Sequence, residues 1–182
     1  MYKNLPNILT LIRIIVIPFI FASFYLDKSL INWVAASLFL IASITDFLDG
    51  YLARTFSAQT AFGKFLDPVA DKLLVVSVIL LLVHNNAIEG VEIFAALAIV
   101  CREILVSGLR EFLATINVTL NVSNIGKAKT LFQMTALFLL LLGKDATGIQ
   151  LVETIGIITL WIASFLTVLS GAIYLKQGLK HI

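Results

Sequence analysis

Six apolar runs, separated by short polar breaks, set the pattern of this chain. The runs cover residues 5–26, 31–54, 63–84, 91–114, 127–143 and 150–175. A helix of about 20 mostly apolar residues crosses the hydrocarbon of a bilayer. The runs are continuous rather than alternating, which argues against a strand-built membrane barrel. The breaks "DKS", "TFSAQT", "HNNAIEG", "NVTLNVSNIGK" and "KDATG" supply polar and turn residues. The pattern therefore predicts an all-α polytopic membrane protein of six transmembrane helices, one domain over 1–182, with no room for a separate soluble module. The first run holds Arg13 and Pro18 and lacks a small-residue cleavage site, so it reads as a retained helix rather than a signal peptide.

Composition agrees with this picture. The chain is 60% hydrophobic and 13% charged, with a mean hydropathy of +1.03; soluble domains carry about 25% charged residues. A net charge of +2 gives no reason to expect a nucleic-acid partner. The single cysteine, Cys101, excludes an intramolecular disulfide. His84 and His181 stand alone, without metal-ligand spacing.

Lysine and arginine set the expected sidedness. With six spans both termini share a side, and that side collects Lys3, Arg54, Lys64, Arg110, Lys127, Lys129, Lys176 and Lys180. The opposite loops hold only Lys28 and Lys144, beside Asp27, Glu89, Glu92 and Asp145. Both termini and the "TFSAQT" loop are thus expected to face the cytoplasm.

Between the second and third runs lies "DFLDGYLARTFSAQTAFGKFLDPVAD", with four aspartates: Asp46, Asp49, Asp67 and Asp71. Asp46, Asp49, Gly50 and Ala53 share one helical face; Gly63, Asp67 and Asp71 share another. A short loop would make these two helices antiparallel neighbours with facing stripes. Four carboxylates so close cannot all stay charged without compensation. Two divalent cations would balance them, and oxygen-only ligands suit a hard ion, Mg²⁺ or Mn²⁺. Metal pairs on aspartates suit phosphoryl chemistry. Gly50, Ala53 and Gly63 leave side-chain-poor space for a phosphate, and Arg54 stands one turn beyond Gly50. An ion or proton pathway of a transporter is the other use for such acids.

The residues Asp46, Asp49, Gly50, Ala53, Arg54, Gly63, Asp67 and Asp71 spell D-x2-D-G-x2-A-R-x8-G-x3-D-x3-D. This pattern resembles the CDP-alcohol phosphotransferase motif at every position, and the six-helix layout resembles that family over nearly the whole chain. The resemblance implies a single catalytic domain in which an alcohol attacks the lipid-linked phosphate of a CDP donor and CMP leaves. It implies that Asp46, Asp49, Asp67 and Asp71 ligate two metal ions and that Asp71 is also the general base. Asp49, Gly50, Ala53, Arg54, Thr60, Gly63 and Asp67 would line the CDP site. It also implies a homodimer, for which Ser107, Gly108, Gly156, Ser164 and Gly171 are candidate small interface residues.

The acceptor must be read elsewhere. Basic residues gather in "CREILVSGLREF" and "SNIGKAKTLFQM", and arginine forks suit phosphate monoesters. Arg110 and Lys127 are the preferred phosphate ligands. Arg102 is a further candidate, equally able to pair with Glu103, and Lys129 reads rather as a positive-inside anchor. With "NLPNILTLIRIIVIPF", these stretches resemble a bacterial branch of the family whose donor is CDP-diacylglycerol and whose acceptor is glycerol 3-phosphate. Asn7, Thr10 and Arg13 would then approach the acceptor from the first helix. Phosphatidylglycerol and inositol phosphate remain alternative acceptors on the basic cluster alone. The expected location is the bacterial cytoplasmic membrane, with the active site on its cytoplasmic side.

Overall fold

Each apolar run folds as one helix. The computed structural model describes residues 5–24, 28–55, 61–118 and 124–180. Its helices are α1 (Leu5–Ser23), α2 (Lys28–Thr55), α3 (Ala61–His84), α4 (Glu92–Thr115), α5 (Asn124–Thr147) and α6 (Gln150–Gly178). Among the described residues there is no strand.

The helix ends follow from local chemistry. After α3 the chain turns through Asn86 at φ 59°, and the N–H groups of Ala87 and Ile88 return to the Leu82 carbonyl. After α4, Asn117 at φ 58° lets the Val118 N–H reach the Leu113 carbonyl. Asparagine tolerates this left-handed geometry better than a branched residue, so both turns satisfy carbonyls that a helix end leaves open. α5 breaks at Gly143, whose φ 58° and ψ −173° no helix contains. That break is where the fifth apolar run ends, so the residues beyond it form a separate turn.

α5 packs most extensively on α6, and α6 also on α4. The close approach comes from glycines. A Cβ on Gly156 would stand 2.9 Å from Leu140 Cδ2, and one on Gly171 would stand 3.0 Å from Arg102 Cγ. Gly156, Ser164 and Gly171 are thus buried inside the protomer rather than offered to a second copy, while Gly108 has open space around it. α1 contacts both α2 and α3. Ile20, Phe39, Leu74, Val78, Leu82, Ile99, Leu137 and Leu160 belong to one continuous core that draws on all six helices.

The outer surface is apolar as well. Phe19, Trp33, Phe65, Phe94, Leu131 and Phe165 are all exposed. Soluble monomers rarely expose apolar surface on this scale. α5 and α6 are each long and apolar enough to cross a membrane.

Candidate active site

α1 brings the acidic helices together. Thr10 and Arg13 are three residues apart, so they share a face, and both are fully buried. The Thr10 hydroxyl donates to Asp67 Oδ1 at 2.6 Å. Arg13 Nη1 lies 2.8 Å from Asp46 Oδ1 on α2 and 2.5 Å from Asp71 Oδ1 on α3. Asp46 of α2 and Asp71 of α3 therefore meet at one guanidinium nitrogen supplied by α1. Asp46 and Asp71 keep 33% and 44% of their side-chain surface exposed. They gain a charge-assisted partner without being sealed from a ligand.

The turns leading to Asp46 are satisfied internally. The Ser43 hydroxyl donates to the Phe39 carbonyl at 2.8 Å, and that of Thr45 to the Ala42 carbonyl at 2.8 Å. In an apolar setting this removes the cost of unpaired hydroxyls. Gly63 is buried on α3, one turn before Asp67. The helix of Asp49, Gly50, Ala53 and Arg54 is present, but their side chains lie outside the described residues, as does Thr60 altogether.

The described carboxylates offer only oxygen donors, and two of them reach a single guanidinium nitrogen. They already converge on one cation. That donor chemistry fits a hard divalent ion. Among the described residues no three acidic, histidine or cysteine side chains close into a metal cage, and the Asp49 carboxylate falls outside that set.

Beside this cluster opens a cavity of about 500 Å³. Asp67, Asp71 and Lys72 line one part of it; Arg102, Glu103 and Arg110 of α4, Lys129 of α5 and Tyr174 of α6 line another. Arg102 Nη2 donates to Ser170 Oγ at 2.8 Å, and its Nη1 lies 3.7 Å from Glu103. Lys129 is buried and donates to Glu103. Arg110 Nη2 donates to the Tyr174 hydroxyl at 2.9 Å.

The acceptor candidates thus divide. Arg102 and Arg110 line the cavity. Lys127 is exposed and is not among its lining residues, whereas Lys129, read from sequence as an anchor, is. Thr10 and Arg13 contact the aspartates, and Asn7 is half-buried one turn earlier on α1. Sequence reasoning passed over Tyr174 and Ser170. No local signal marks them, because their partners lie on α4, 64 and 68 residues away.

Comparison with known proteins places this arrangement. Residues 3–169 match the family described as CDP-alcohol phosphatidyltransferase. A Rickettsia felis protein named CDP-diacylglycerol–glycerol-3-phosphate 3-phosphatidyltransferase is 49% identical over 179 residues, covering 98% of this chain and 97% of that protein. Proteins of the same name from Salmonella choleraesuis and Wigglesworthia glossinidia brevipalpis are 43% and 41% identical. Those matches cover 94% and 93% of this chain, and 96% and 92% of the two proteins.

Proposed function

The chain belongs to the CDP-alcohol phosphatidyltransferase family, and we propose that it transfers the phosphatidyl group of CDP-diacylglycerol to glycerol 3-phosphate. CMP is released and phosphatidylglycerophosphate is formed. The observation that carries this reading is the cavity that joins a carboxylate wall to a wall of arginine and lysine. The first suits deprotonation of a hydroxyl; the second suits an acceptor that carries its own phosphate.

The chemistry then follows from charge and position. The primary hydroxyl oxygen of the acceptor forms a bond to the phosphorus next to diacylglycerol. The bond from that phosphorus to the bridging oxygen breaks, and CMP leaves with the electron pair. The hydroxyl proton passes to a carboxylate oxygen of Asp71. Arg13 holds Asp71 and Asp46 in register, and Thr10 orients Asp67. Arg102, Arg110 and Lys129 draw the acceptor phosphate to the far wall, which leaves the opposite end of a three-carbon acceptor toward Asp71. Gly50, Ala53, Arg54, Thr60 and Gly63 are proposed to bind the CDP moiety, on the strength of the motif.

Metal dependence is general in this family. Asp46, Asp49, Asp67 and Asp71 would hold two Mg²⁺ or Mn²⁺ ions. Such ions neutralise phosphate charge and stabilise the leaving group when bound. The six helices are proposed to span the bacterial cytoplasmic membrane, with the site and both termini inside. The apolar exterior and the lysine and arginine distribution support this. A homodimer is proposed on the family resemblance.

The Asp71→Asn variant tests the assignment of the base. It keeps the size of the side chain and a hydrogen-bond acceptor for Arg13, but it cannot take the proton. CMP release is expected to fall by about 10²- to 10⁴-fold while the protein stays monodisperse in detergent. Turnover near that of the unaltered protein would remove Asp71 from this role.

A further inference from the structure

The three cations of the acceptor wall are not equivalent. Arg102 and Lys129 both face Glu103, one at 3.7 Å and the other in direct hydrogen-bond contact. Part of their charge is cancelled before any ligand arrives. Arg110 differs: among the described residues it is within ion-pair distance of no carboxylate. Its partner is Tyr174, a neutral side chain. Nη2 donates to the hydroxyl at 2.9 Å, and the guanidinium carbon lies 4.8 Å from the centre of the ring. The same ring lies 5.5 Å from the Arg102 guanidinium carbon. Tyr174 itself is 2% exposed and sits on α6, where α4 packs.

We infer that Tyr174 is a positioning residue for the acceptor phosphate: it holds Arg110 in the cavity without neutralising it. This rests on the reading of that wall as the acceptor subsite. The physical case has two parts. Arg110 is exposed near the C-terminal end of α4, and a long arginine there is free to reach outward to headgroups or water. A fixed hydroxyl acceptor and a ring face remove much of that freedom before the ligand binds. A carboxylate in the same place would hold the arginine equally well but would cancel its charge. Tyrosine orders the side chain and leaves a full positive charge for a phosphate dianion. The ring also touches Arg102, so one buried side chain spaces two guanidinium groups across the subsite.

The test is steady-state kinetics on the full-length protein in detergent, varying glycerol 3-phosphate and CDP-diacylglycerol separately. Tyr174→Phe keeps the ring and removes the hydroxyl. It is expected to raise KM for glycerol 3-phosphate about tenfold, as for loss of one charged hydrogen bond. The kcat and the KM for CDP-diacylglycerol are expected to stay within about twofold. Tyr174→Leu, which also removes the ring, is expected to raise KM for glycerol 3-phosphate further. In an Arg110→Gln background, Tyr174→Phe is expected to add little, because the group it positions is gone. A Tyr174→Phe effect of equal size with and without Arg110 overturns the inference, as does one that falls on kcat and both substrates alike. If Arg110→Gln itself leaves the KM for glycerol 3-phosphate unchanged, the reading of the wall fails and takes the inference with it. If Arg110→Gln raises that KM and Tyr174→Phe does not, the inference alone fails.

Discussion

Arg13 is the side chain on which the acidic cluster turns. It is fully buried, yet two carboxylates from two other helices meet its Nη1. In an apolar bundle an uncompensated charge is costly, so the arginine and the aspartates stabilise one another. The aspartates are a third or more exposed, so each recovers part of its solvation if Arg13 is removed. Arg13→Gln is therefore expected to destabilise the metal-free protein by about 1–2 kcal/mol, less than for a wholly sealed pair. A divalent ion would then replace the lost positive charge. Thermal unfolding in detergent checks this: Mn²⁺ should raise the melting temperature more in the variant than in the unaltered protein. Equal metal-induced shifts would separate Arg13 from the carboxylates proposed to hold the metal. The sequence marked Arg13 as a residue near the acceptor, and its neighbour Thr10 likewise. Their carboxylate partners were beyond reach of that reading, since Asp67 and Asp71 lie 57 and 58 residues from Thr10 and Arg13. Spacing assigns residues to a face of one helix; it does not say which helix stands opposite.

At the scale of the element, the apolar runs and the polar breaks between them were enough. The apolar runs at 31–54, 63–84 and 91–114 became α2 (Lys28–Thr55), α3 (Ala61–His84) and α4 (Glu92–Thr115). The fifth run was expected to stop at residue 143, and the backbone leaves helical geometry at Gly143. That glycine is needed for its backbone rather than for space. A Cβ there would meet only Asn32 Nδ2, at 3.7 Å, but φ 58° with ψ −173° is a conformation that L-residues avoid. Gly143→Ala is expected to cost about 1–3 kcal/mol from backbone strain, read as a lower melting temperature with little change in turnover, because the break lies away from the acidic cluster. Unchanged stability would show that the turn relaxes into another geometry. What the pattern of runs did not disclose is the part played by α1, which is first in the chain yet supplies the arginine at which Asp46 of α2 and Asp71 of α3 meet.

For the whole molecule, the two walls of the cavity differ in how much the sequence disclosed. The acidic wall is dense and local, with eight motif residues between Asp46 and Asp71. The cations of the other wall come from α4 and α5, with Tyr174 of α6 beside them. Its members were visible only as scattered basic residues, so Lys127 was favoured over Lys129 although the buried Lys129 is the one that lines the cavity. Charge near a helix start identifies a side of the membrane; the helical turn of about 100° per residue decides which lysine points inward. The apolar exterior surrounds a cavity whose lining includes acidic and basic side chains. In the proposed function, this arrangement would let a lipid-linked donor keep its tails in the bilayer while its phosphates meet a water-soluble acceptor. The central claim is that this cavity joins those two substrates, and product analysis tests it most directly. Purified protein would be incubated with CDP-diacylglycerol and Mg²⁺ or Mn²⁺, and with glycerol 3-phosphate, inositol phosphate or phosphatidylglycerol in separate reactions, each beside a chelator control. Mass spectrometry would follow CMP and the lipid product. The account predicts phosphatidylglycerophosphate and CMP with glycerol 3-phosphate alone, abolished by the chelator. CMP formed only with another acceptor, or none from folded protein with any acceptor, would contradict it.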